Sequence, residues 1–227
     1  TIDRLELDQA RRIGGVILQN IIFLASGNGG NLKFIYKALS LMGIKGVNIS
    51  VIADRKCGTG AFAAENLIPV DVIKYDRSDN KELVDNLTRI DPDMIITNWH
   101  KIIDQNTISM FCGKLINLHY SLLPAFGGLI GTAPIIKAYE AGCKYVGATC
   151  HYVDEGVDTG KIIAQTIVRT DIALSGVIDR VFRNGCLILL DTTMKHLSLT
   201  SANCTARSSN DFSPRLGFDD SIFDERF

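Results

Sequence analysis

The sequence predicts an α/β fold of the Rossmann-like type, with a mainly parallel sheet, helices on both faces and an antiparallel C-terminal extension. Strand-like apolar runs alternate with segments of helical periodicity up to residue 119, which is typical of β-α-β units. Beyond residue 145, two long strand-like runs follow each other without a helix between them, which favours an antiparallel pair. The two observations predict a parallel half that is extended by an antiparallel half.

The elements of the parallel half follow a charged N-terminal extension, residues 1–19, in which residues 3–13 are a candidate helix. Strands that are apolar almost throughout fit a sheet covered on both faces. Such strands are predicted over residues 19–26, 47–53, 70–74, 94–99 and 114–119. Helices are predicted between them, over residues 31–42, 58–66, 80–90 and 105–111.

The rhythm changes after Pro124, where a glycine-rich loop leads to a helix near residues 133–141. Strands over residues 146–153 and 161–168 are joined by D-E-G-V-D-T-G, residues 154–160. A last helix covers residues 174–197, with an unusual N-G-C break at residues 184–186. The main domain is therefore placed at residues 20–197. The tail, residues 198–227, is rich in Ser, Asn and Asp and is expected to be irregular.

Composition narrows the classes of function. The 227 residues carry a formal net charge of −1, so no global basic field favours nucleic acid as a partner. No apolar stretch reaches membrane-spanning length. The six cysteines contain no C-x-x-C pair and the four histidines lack zinc-motif spacing. We expect reduced thiols, no metal site, no membrane partner and a cytoplasmic protein.

A glycine-rich motif, S-G-N-G-G-N-L, lies between the first predicted strand and helix at residues 26–32. Glycines let the backbone turn sharply and approach a ligand, and the free N–H groups of a helix start suit a phosphate. The motif is not a dinucleotide fingerprint, because the third glycine of that pattern would fall on Leu32. The motif is therefore compatible with a phosphate-binding loop and with a tight turn between a strand and a helix.

Two polar motifs follow later strands. In L-I-N-L-H-Y-S-L-L-P, Asn117 and His119 are two residues apart, so both point to one side at the carboxyl end of the sheet. A histidine suits proton transfer near neutral pH, and an asparagine amide can donate to a developing oxyanion. A structural histidine beside a capping asparagine is the alternative. A carboxylate of residues 154–160 could orient the histidine, or serve the turn alone.

In this order, the motifs resemble the folate-dependent formyltransferase superfamily, and most closely its phosphoribosylglycinamide (GAR) formyltransferase branch. The similarity includes D-P-D-M-I-I-T-N-W-H-K-I-I at residues 91–103 and V-G-A-T-C-H-Y-V-D-E-G-V-D-T-G-K-I-I-A-Q at residues 146–165. It covers about residues 20–195. The resemblance implies the formyltransferase fold and direct transfer of a formyl group from 10-formyltetrahydrofolate to a primary amine, through a tetrahedral intermediate. The implied acceptor is GAR of purine biosynthesis, with an amino sugar nucleotide or another amine as the alternative.

The resemblance also implies roles for individual residues. Asn117 would donate to the oxyanion, His119 would act as general acid, and Asp158 would favour the protonated imidazole and relay a proton. The folate contacts would be Trp99, His100, Lys101, Ile102, Ile103, Val153, Asp154, Glu155 and Val157. The acceptor's phosphate would be held by Gly27, Asn28, Gly29, Gly30 and Asn31. The implied partners are 10-formyltetrahydrofolate as co-substrate and a phosphorylated amine, with no metal and no nucleic acid, in a monomer or homodimer.

Several residues depart from the family pattern. Tyr120 stands where a proline usually follows the histidine, and His100 stands where an apolar folate contact is common. The stretch G-T-A-P-I, residues 131–135, is similar to the tRNA- and sugar-directed branches. These departures bear on the acceptor more than on the chemistry. A formyltetrahydrofolate deformylase and a non-catalytic binding module are the remaining alternatives, although binding alone needs no Asn-His-Asp trio.

Overall fold

A central mixed sheet organises the chain. The computed structural model describes residues 12–13, 16–200 and 210–223. In this part of the chain, a two-stranded antiparallel ribbon, β1 (Arg12–Ile13) and β2 (Val16–Ile17), precedes a sheet of eight strands. The eight strands are β3 (Gln19–Ala25), β4 (Val47–Ala53), β5 (Val70–Val72), β6 (Met94–Asn98), β7 (Leu115–His119), β8 (Tyr145–Tyr152), β9 (Ile162–Arg169) and β10 (Phe212–Ser213).

The order across the sheet is β10-β9-β8-β7-β6-β3-β4-β5. Strands β5, β4, β3, β6 and β7 run parallel, and β8, β9 and β10 add antiparallel pairs on the far side of β7. The predicted parallel half and antiparallel extension are therefore confirmed. Strands β4 and β5 extend the sheet on one side of β3, and β6 and the later strands extend it on the other side. A crevice forms outside the carboxyl ends of the parallel strands where the strand order reverses.

Helices cover both faces of the sheet. They are α1 (Gly30–Leu41), α2 (Gly58–Glu65), α3 (Lys81–Ile90), α4 (Gln105–Met110), α5 (Ala133–Glu140) and α6 (Leu174–His196). Four consecutive residues of β3 are fully buried: Ile21 and Phe23 in one apolar core, and Ile22 and Leu24 in the other. The continuous apolar run is explained because successive side chains of a strand enter opposite faces.

Helix α6 runs without interruption through the N-G-C sequence at residues 184–186, so the expected break is wrong. Gly185 sits where the helix meets the sheet, and a Cβ there would lie 3.1 Å from the Cβ of Ala148 and 3.2 Å from Cε1 of Tyr120. The glycine is therefore a close-packing residue in a continuous helix, and it leaves room for the tyrosine ring.

The C-terminal segment contributes to the core. The sequence predicts an irregular tail over residues 198–227, but its described part, residues 210–223, adds β10 against β9 and a short 3-10 helix at Asp220–Phe223. Phe218 and Phe223 are buried in the larger core. The carboxylate of Asp191 on α6 accepts the N–H of Gly217 at 2.8 Å. This segment is thus packed into the domain that precedes it.

The N-terminal prediction is tested only at its end. Residues 1–11 lie outside the described residues, and Arg12–Ile13 form β1 rather than the end of a helix. The five cysteines within the described ranges all have free thiols. Across residues 16–200 and 210–223, no helix is both long and apolar enough to cross a bilayer.

Candidate active site

The end of β7 places Asn117 and His119 side by side at the carboxyl edge of the sheet. The strand pairs parallel with β6 on one side and antiparallel with β8 on the other. The hydroxyl of Thr97 on β6 donates to Oδ1 of Asn117 at 3.2 Å, which fixes the orientation of the carboxamide. The Nδ2 group of Asn117 is therefore the atom turned towards the remaining polar groups of the site.

Asp158 joins this pair from the loop that connects β8 and β9. Its Oδ2 lies 3.3 Å from Nδ1 of His119, and its Oδ1 lies 3.4 Å from Nδ2 of Asn117. The backbone of Asp158 has φ 57°, in the left-handed region that few non-glycine residues adopt. Such a conformation is often found where a side chain must be aimed at a site. The structure thus brings the three predicted residues together.

The carboxyl group of Asp158 is held in its charged form. Burial alone would raise the pKa of Asp158, but a hydrogen bond from His151 and one from the Gly128 amide oppose it. The nearby His119 and His151 also favour the charge, so the pKa of Asp158 lies below its ordinary value. The Gly128 N–H donates to Oδ2 at 2.8 Å, which fixes the position of the carboxylate.

The glycine-rich loop after Pro124 holds both members of the His119–Asp158 pair. The carbonyl oxygen of Phe126 lies 3.1 Å from Nε2 of His119, while Nδ1 faces Asp158. Both neighbours are acceptors, and an imidazole can donate from both nitrogens only when it carries the second proton. The geometry is therefore fully satisfied by the protonated ring, which suits a group that delivers a proton.

His151 is a fourth member of the site that the sequence motifs did not identify. It lies directly across from Asn117 in the antiparallel pair of β7 and β8, and Nε2 is 3.2 Å from Nδ2 of Asn117 and 3.6 Å from Oδ1 of Asp158. Its Nδ1 is 2.8 Å from the Tyr152 carbonyl, so Nδ1 carries a hydrogen. Nε2 lies between the Asn117 amide and the Asp158 carboxylate.

A cleft of about 510 Å³ runs past these residues. It is lined by the loop that carries Asp158 and by the glycine-rich segment of residues 26–32, which we call the glycine loop. Every residue predicted to bind folate or acceptor lines it except Glu155. The carboxylate of Glu155 instead accepts a hydrogen bond from Gln105 at 2.6 Å on the surface, and its folate contact stays a prediction. Asp154 lines the cleft, but its carboxylate accepts from Thr159 and from the Gly156 N–H, as a turn residue does.

One wall of the cleft is apolar and exposed. The side chains of Ile102 and Val157 are both 50% exposed, and both face the cavity. Trp99 forms part of the same wall, and its ring packs against Tyr75 with centroids 5.0 Å apart. His100 is exposed beside them, and its N–H donates to Ser26 at 3.1 Å. The wall offers a flat aromatic ligand more apolar surface than the polar end of the cleft does.

The glycine loop forms the opposite end of the cleft. Gly29 has φ 76° and precedes α1, which begins at Gly30, so the positive φ belongs to Gly29 and not to Gly30. The Asn31 side chain is already engaged: Oδ1 accepts from Tyr120 at 2.9 Å, and Nδ2 donates to Asn98 at 2.9 Å. Backbone N–H groups, rather than the Asn31 carboxamide, are therefore the groups this loop offers to an anion.

A family model described as formyl transferase matches residues 19–176. The chain belongs to the formyl transferase family. Solved structures of family members agree with the fold. The phosphoribosylglycinamide formyltransferase from Bacillus halodurans superposes with a TM-score of 0.72 at 27% identity, over 79% of this chain and 96% of that one. The same enzyme from Anaplasma phagocytophilum superposes with a TM-score of 0.71 at 26% identity, over 82% and 95% of the two chains.

Curated relatives of this formyl transferase carry related names. A chloroplastic phosphoribosylglycinamide formyltransferase from Arabidopsis thaliana is 34% identical over 161 residues, which are 66% of this chain and 55% of that protein. The Bacillus subtilis (strain 168) protein of that name is 31% identical over 68% of this chain and 81% of its own length. A formyltetrahydrofolate deformylase from Escherichia coli (strain K12) is 32% identical over 109 residues. The chain spans about half the length of the plant relatives that it matches.

Within residues 16–200 and 210–223, no cluster of three or more His, Cys, Asp and Glu side chains has the arrangement that a metal ion needs. The grouping of Asn117, His119, His151 and Asp158 provides one amide donor, two imidazoles and one carboxylate. Such a set is suited to donating hydrogen bonds and moving protons around a reacting carbonyl group.

Proposed function

We propose that this protein transfers the formyl group of 10-formyltetrahydrofolate to the primary amine of GAR, a step of purine biosynthesis. The observation that carries the proposal is the convergence of Asn117, His119 and Asp158 in one cleft, with contacts of 3.3 and 3.4 Å. The names of several relatives support the choice of acceptor.

Asn117 is proposed to stabilise negative charge on the formyl oxygen. When bound, 10-formyltetrahydrofolate supplies the formyl carbon that an amine attacks. Thr97 holds Oδ1 of Asn117, so Nδ2 faces the site, where a formyl oxygen would replace the Asp158 or His151 atom that Nδ2 now contacts. A donor fixed before the reaction stabilises developing charge more effectively than one that must reorient. His151 then acts as a positioning residue, because its Nε2 contacts the same Nδ2 at 3.2 Å.

His119 is proposed to hold and deliver a proton, with Asp158 as its counter-charge. The ring has an acceptor at each nitrogen, the Phe126 carbonyl and the Asp158 carboxylate. Delivery of the proton from Nε2 requires that nitrogen to exchange the Phe126 carbonyl for a substrate atom. The proton would go to the folate nitrogen as its bond to the formyl carbon breaks. The Asp158 carboxylate compensates the imidazolium until then, and it can accept, through water, the proton that the attacking amine loses.

The two ends of the cleft fit the two reactants. The wall of Trp99, Ile102 and Val157 is apolar enough for the flat pterin ring of the folate. At the other end, Gly27 has open space on the side where a Cβ would project, and Gly29 leads directly into α1. Unpaired N–H groups at the start of a helix favour a phosphate. The glycine loop and His119 line the same cleft, so a phosphorylated amine bound at α1 would lie in the cavity that holds the imidazole.

The test is an acceptor panel with 10-formyltetrahydrofolate, in which release of tetrahydrofolate is followed by absorbance. We expect turnover with GAR, and His119→Ala supplies the matched blank. Turnover only with an amino sugar nucleotide would replace the acceptor and keep the chemistry. Folate release without any amine would identify a deformylase, the activity named for one set of relatives. The free thiols of the described cysteines support a reducing compartment such as the cytoplasm.

A further inference from the structure

An aromatic pair forms the wall of the cleft next to the glycine loop. Phe182 on α6 stacks on Tyr120, which directly follows β7, with ring centroids 5.7 Å apart and an interplanar angle of 27°. Both side chains line the cleft, and Phe182 is 38% exposed. Tyr120 stacks on one face of the Phe182 ring, and the exposed part of the side chain is available to a ligand in the cleft. We call Tyr120 and Phe182 the aromatic platform.

The platform reaches the first residue of α1. A Cβ built on Gly30 would lie 2.3 Å from Cζ of Phe182, so the edge of the ring is in close contact with the glycine. The ring therefore stands immediately beside the helix start that is proposed to hold a phosphate. The hydrogen-bearing edge of a phenyl ring is its positive part. The ring edge, and not the negative ring face, is therefore next to an anion at the glycine loop, so the contact is not repulsive.

The platform is rigid because Tyr120 is fixed at its hydroxyl. The hydroxyl donates to Oδ1 of Asn31 at 2.9 Å, and Asn31 in turn donates to Asn98. Burial, with a smaller contribution from Cys186, raises the pKa of Tyr120 well above its usual value, so the phenol stays neutral. Gly185 leaves space for the ring. Tyr120 is therefore a supporting surface for Phe182 and not an acid or base.

We propose that Phe182 is a specificity-determining residue, whose open face packs against the C–H face of the sugar ring in a phosphorylated acceptor. The inference rests on the proposed function, because it takes the glycine loop as the phosphate site. With a phosphate held at α1, the atoms attached to it would lie beside this ring. A furanose ring covers apolar surface there, whereas an acyclic chain covers little. The platform would thus favour ring-bearing acceptors over acyclic amines that carry the same anion.

The experiment measures calorimetric binding of two probes to the full chain, ribose 5-phosphate and acyclic glycerol 3-phosphate. Wild type should bind ribose 5-phosphate more tightly. Phe182→Ala should weaken ribose 5-phosphate about tenfold while changing glycerol 3-phosphate by less than about twofold, the scale of one aromatic contact. Phe182→Leu, which keeps apolar bulk, should fall between the two. Tyr145→Ala, which removes a half-exposed aromatic ring outside the cleft, is the matched control and should change neither affinity.

Several outcomes would overturn the inference. Phe182→Ala could weaken the binding of both probes equally, or weaken the binding of neither. Wild type could bind the two probes with equal affinity, or bind neither probe. Thermal denaturation checks that each variant is folded, and the wild-type comparison stands even if a variant is not. Probe binding needs no formyl transfer, so the two proposals can fail separately. If wild type is inactive with GAR but prefers the ring-bearing probe, and Phe182→Ala loses that preference, the platform is supported and the proposed function is rejected. Turnover of GAR with unchanged probe affinities in Phe182→Ala would do the reverse.

Discussion

The Oδ2 atom of Asp158 lies 3.3 Å from Nδ1 of His119, although one residue belongs to a loop between antiparallel strands and the other ends a strand of the parallel half. The contact is supported on both sides by one glycine-rich loop. Its Phe126 carbonyl lies at Nε2 of the imidazole, and its Gly128 N–H donates to the carboxylate. The pair is therefore preorganised by backbone groups as well as by side chains.

The first prediction concerns rate. His119→Ala and Asp158→Asn should each lower kcat for formyl transfer by at least about 100-fold, the usual scale of lost acid–base help. The far-ultraviolet circular dichroism spectrum should be unchanged, because both residues face a cleft. Asp71→Asn, which alters an exposed carboxylate paired with Arg89, is the matched control and should keep wild-type turnover. Wild-type rates in either site variant would remove both residues from the mechanism.

The second prediction concerns stability and pH. The pKa of Asp158 is lower in the folded protein than its ordinary value, so the folded state binds this proton more weakly than the unfolded chain does. The stabilisation is present in full above the ordinary pKa and is lost as the pH falls through the folded pKa. The difference in free energy of unfolding between wild type and Asp158→Asn should therefore shrink below about pH 4. Urea titrations at pH 7, 5, 4 and 3 measure it; a constant difference would contradict the assignment.

The third prediction separates two glycines of one loop. Gly29 has φ 76°, and a Cβ there would lie 2.9 Å from the backbone Cα of Thr59. Gly29→Ala should lower the free energy of unfolding by about 1–3 kcal/mol, because strain and close contact act together. Gly27 has no positive φ and nothing within 4 Å of its ideal Cβ. Gly27→Ala should therefore leave stability unchanged in the same denaturation assay, and equal effects would disprove the distinction.

The fourth prediction concerns the C-terminal segment. Phe218 is 1% exposed and packs edge-on against Phe223 with centroids 5.9 Å apart. Phe218→Ala should cost about 3–5 kcal/mol of unfolding free energy, as for other buried phenylalanines. The exposed Arg215→Ala in the same segment should cost far less. A small loss for Phe218→Ala would mean that residues 210–223 do not belong to the cooperative core.

The fifth prediction concerns thiol reactivity. Cys112 is exposed, whereas Cys150 and Cys186 are buried. Burial is the main cause that raises the pKa of Cys150 to about 12, and it also raises the pKa of Cys186. Alkylation at pH 8 followed by peptide mass spectrometry should label Cys112 and leave the two buried thiols unmodified. The buried pair should react only after urea is added, and labelling of either in the native protein would contradict the packing described.

Local patterns were sufficient for strands β3 to β9, for helices α1 to α6 and for the shared orientation of Asn117 and His119. Those features depend on the two-residue period of a strand and on apolar spacing in a helix. His151 could not be found in this way, because its position opposite Asn117 depends on the antiparallel register of β7 and β8. Aligning the predicted strand over residues 146–153 against the strand of Asn117 in antiparallel register would have identified His151 as a neighbour.

Other features depend on contacts between distant segments. The contact of Phe182 with Gly30 requires α6 to dock beside α1, and no local motif encodes that approach. Glu155 is predicted to contact folate from its place in a motif, and its hydrogen bond with Gln105 joins two distant segments. The C-terminal tail was predicted to be irregular from its polar composition, but three of its apolar residues are buried in the core: Leu216, Phe218 and Phe223.

The change from parallel to antiparallel pairing at β7 has a consequence for how activity could be used. The connection between α5 and β8, residues 141–144, divides the polar group into two parts. Asn117 and His119 precede it, whereas His151 and Asp158 follow it. Two fragments produced by a cut there would each hold half of the group and would be inert alone. Formyl transfer by a mixture of the fragments would then report their reassembly, which makes this chain a candidate for a split-enzyme sensor.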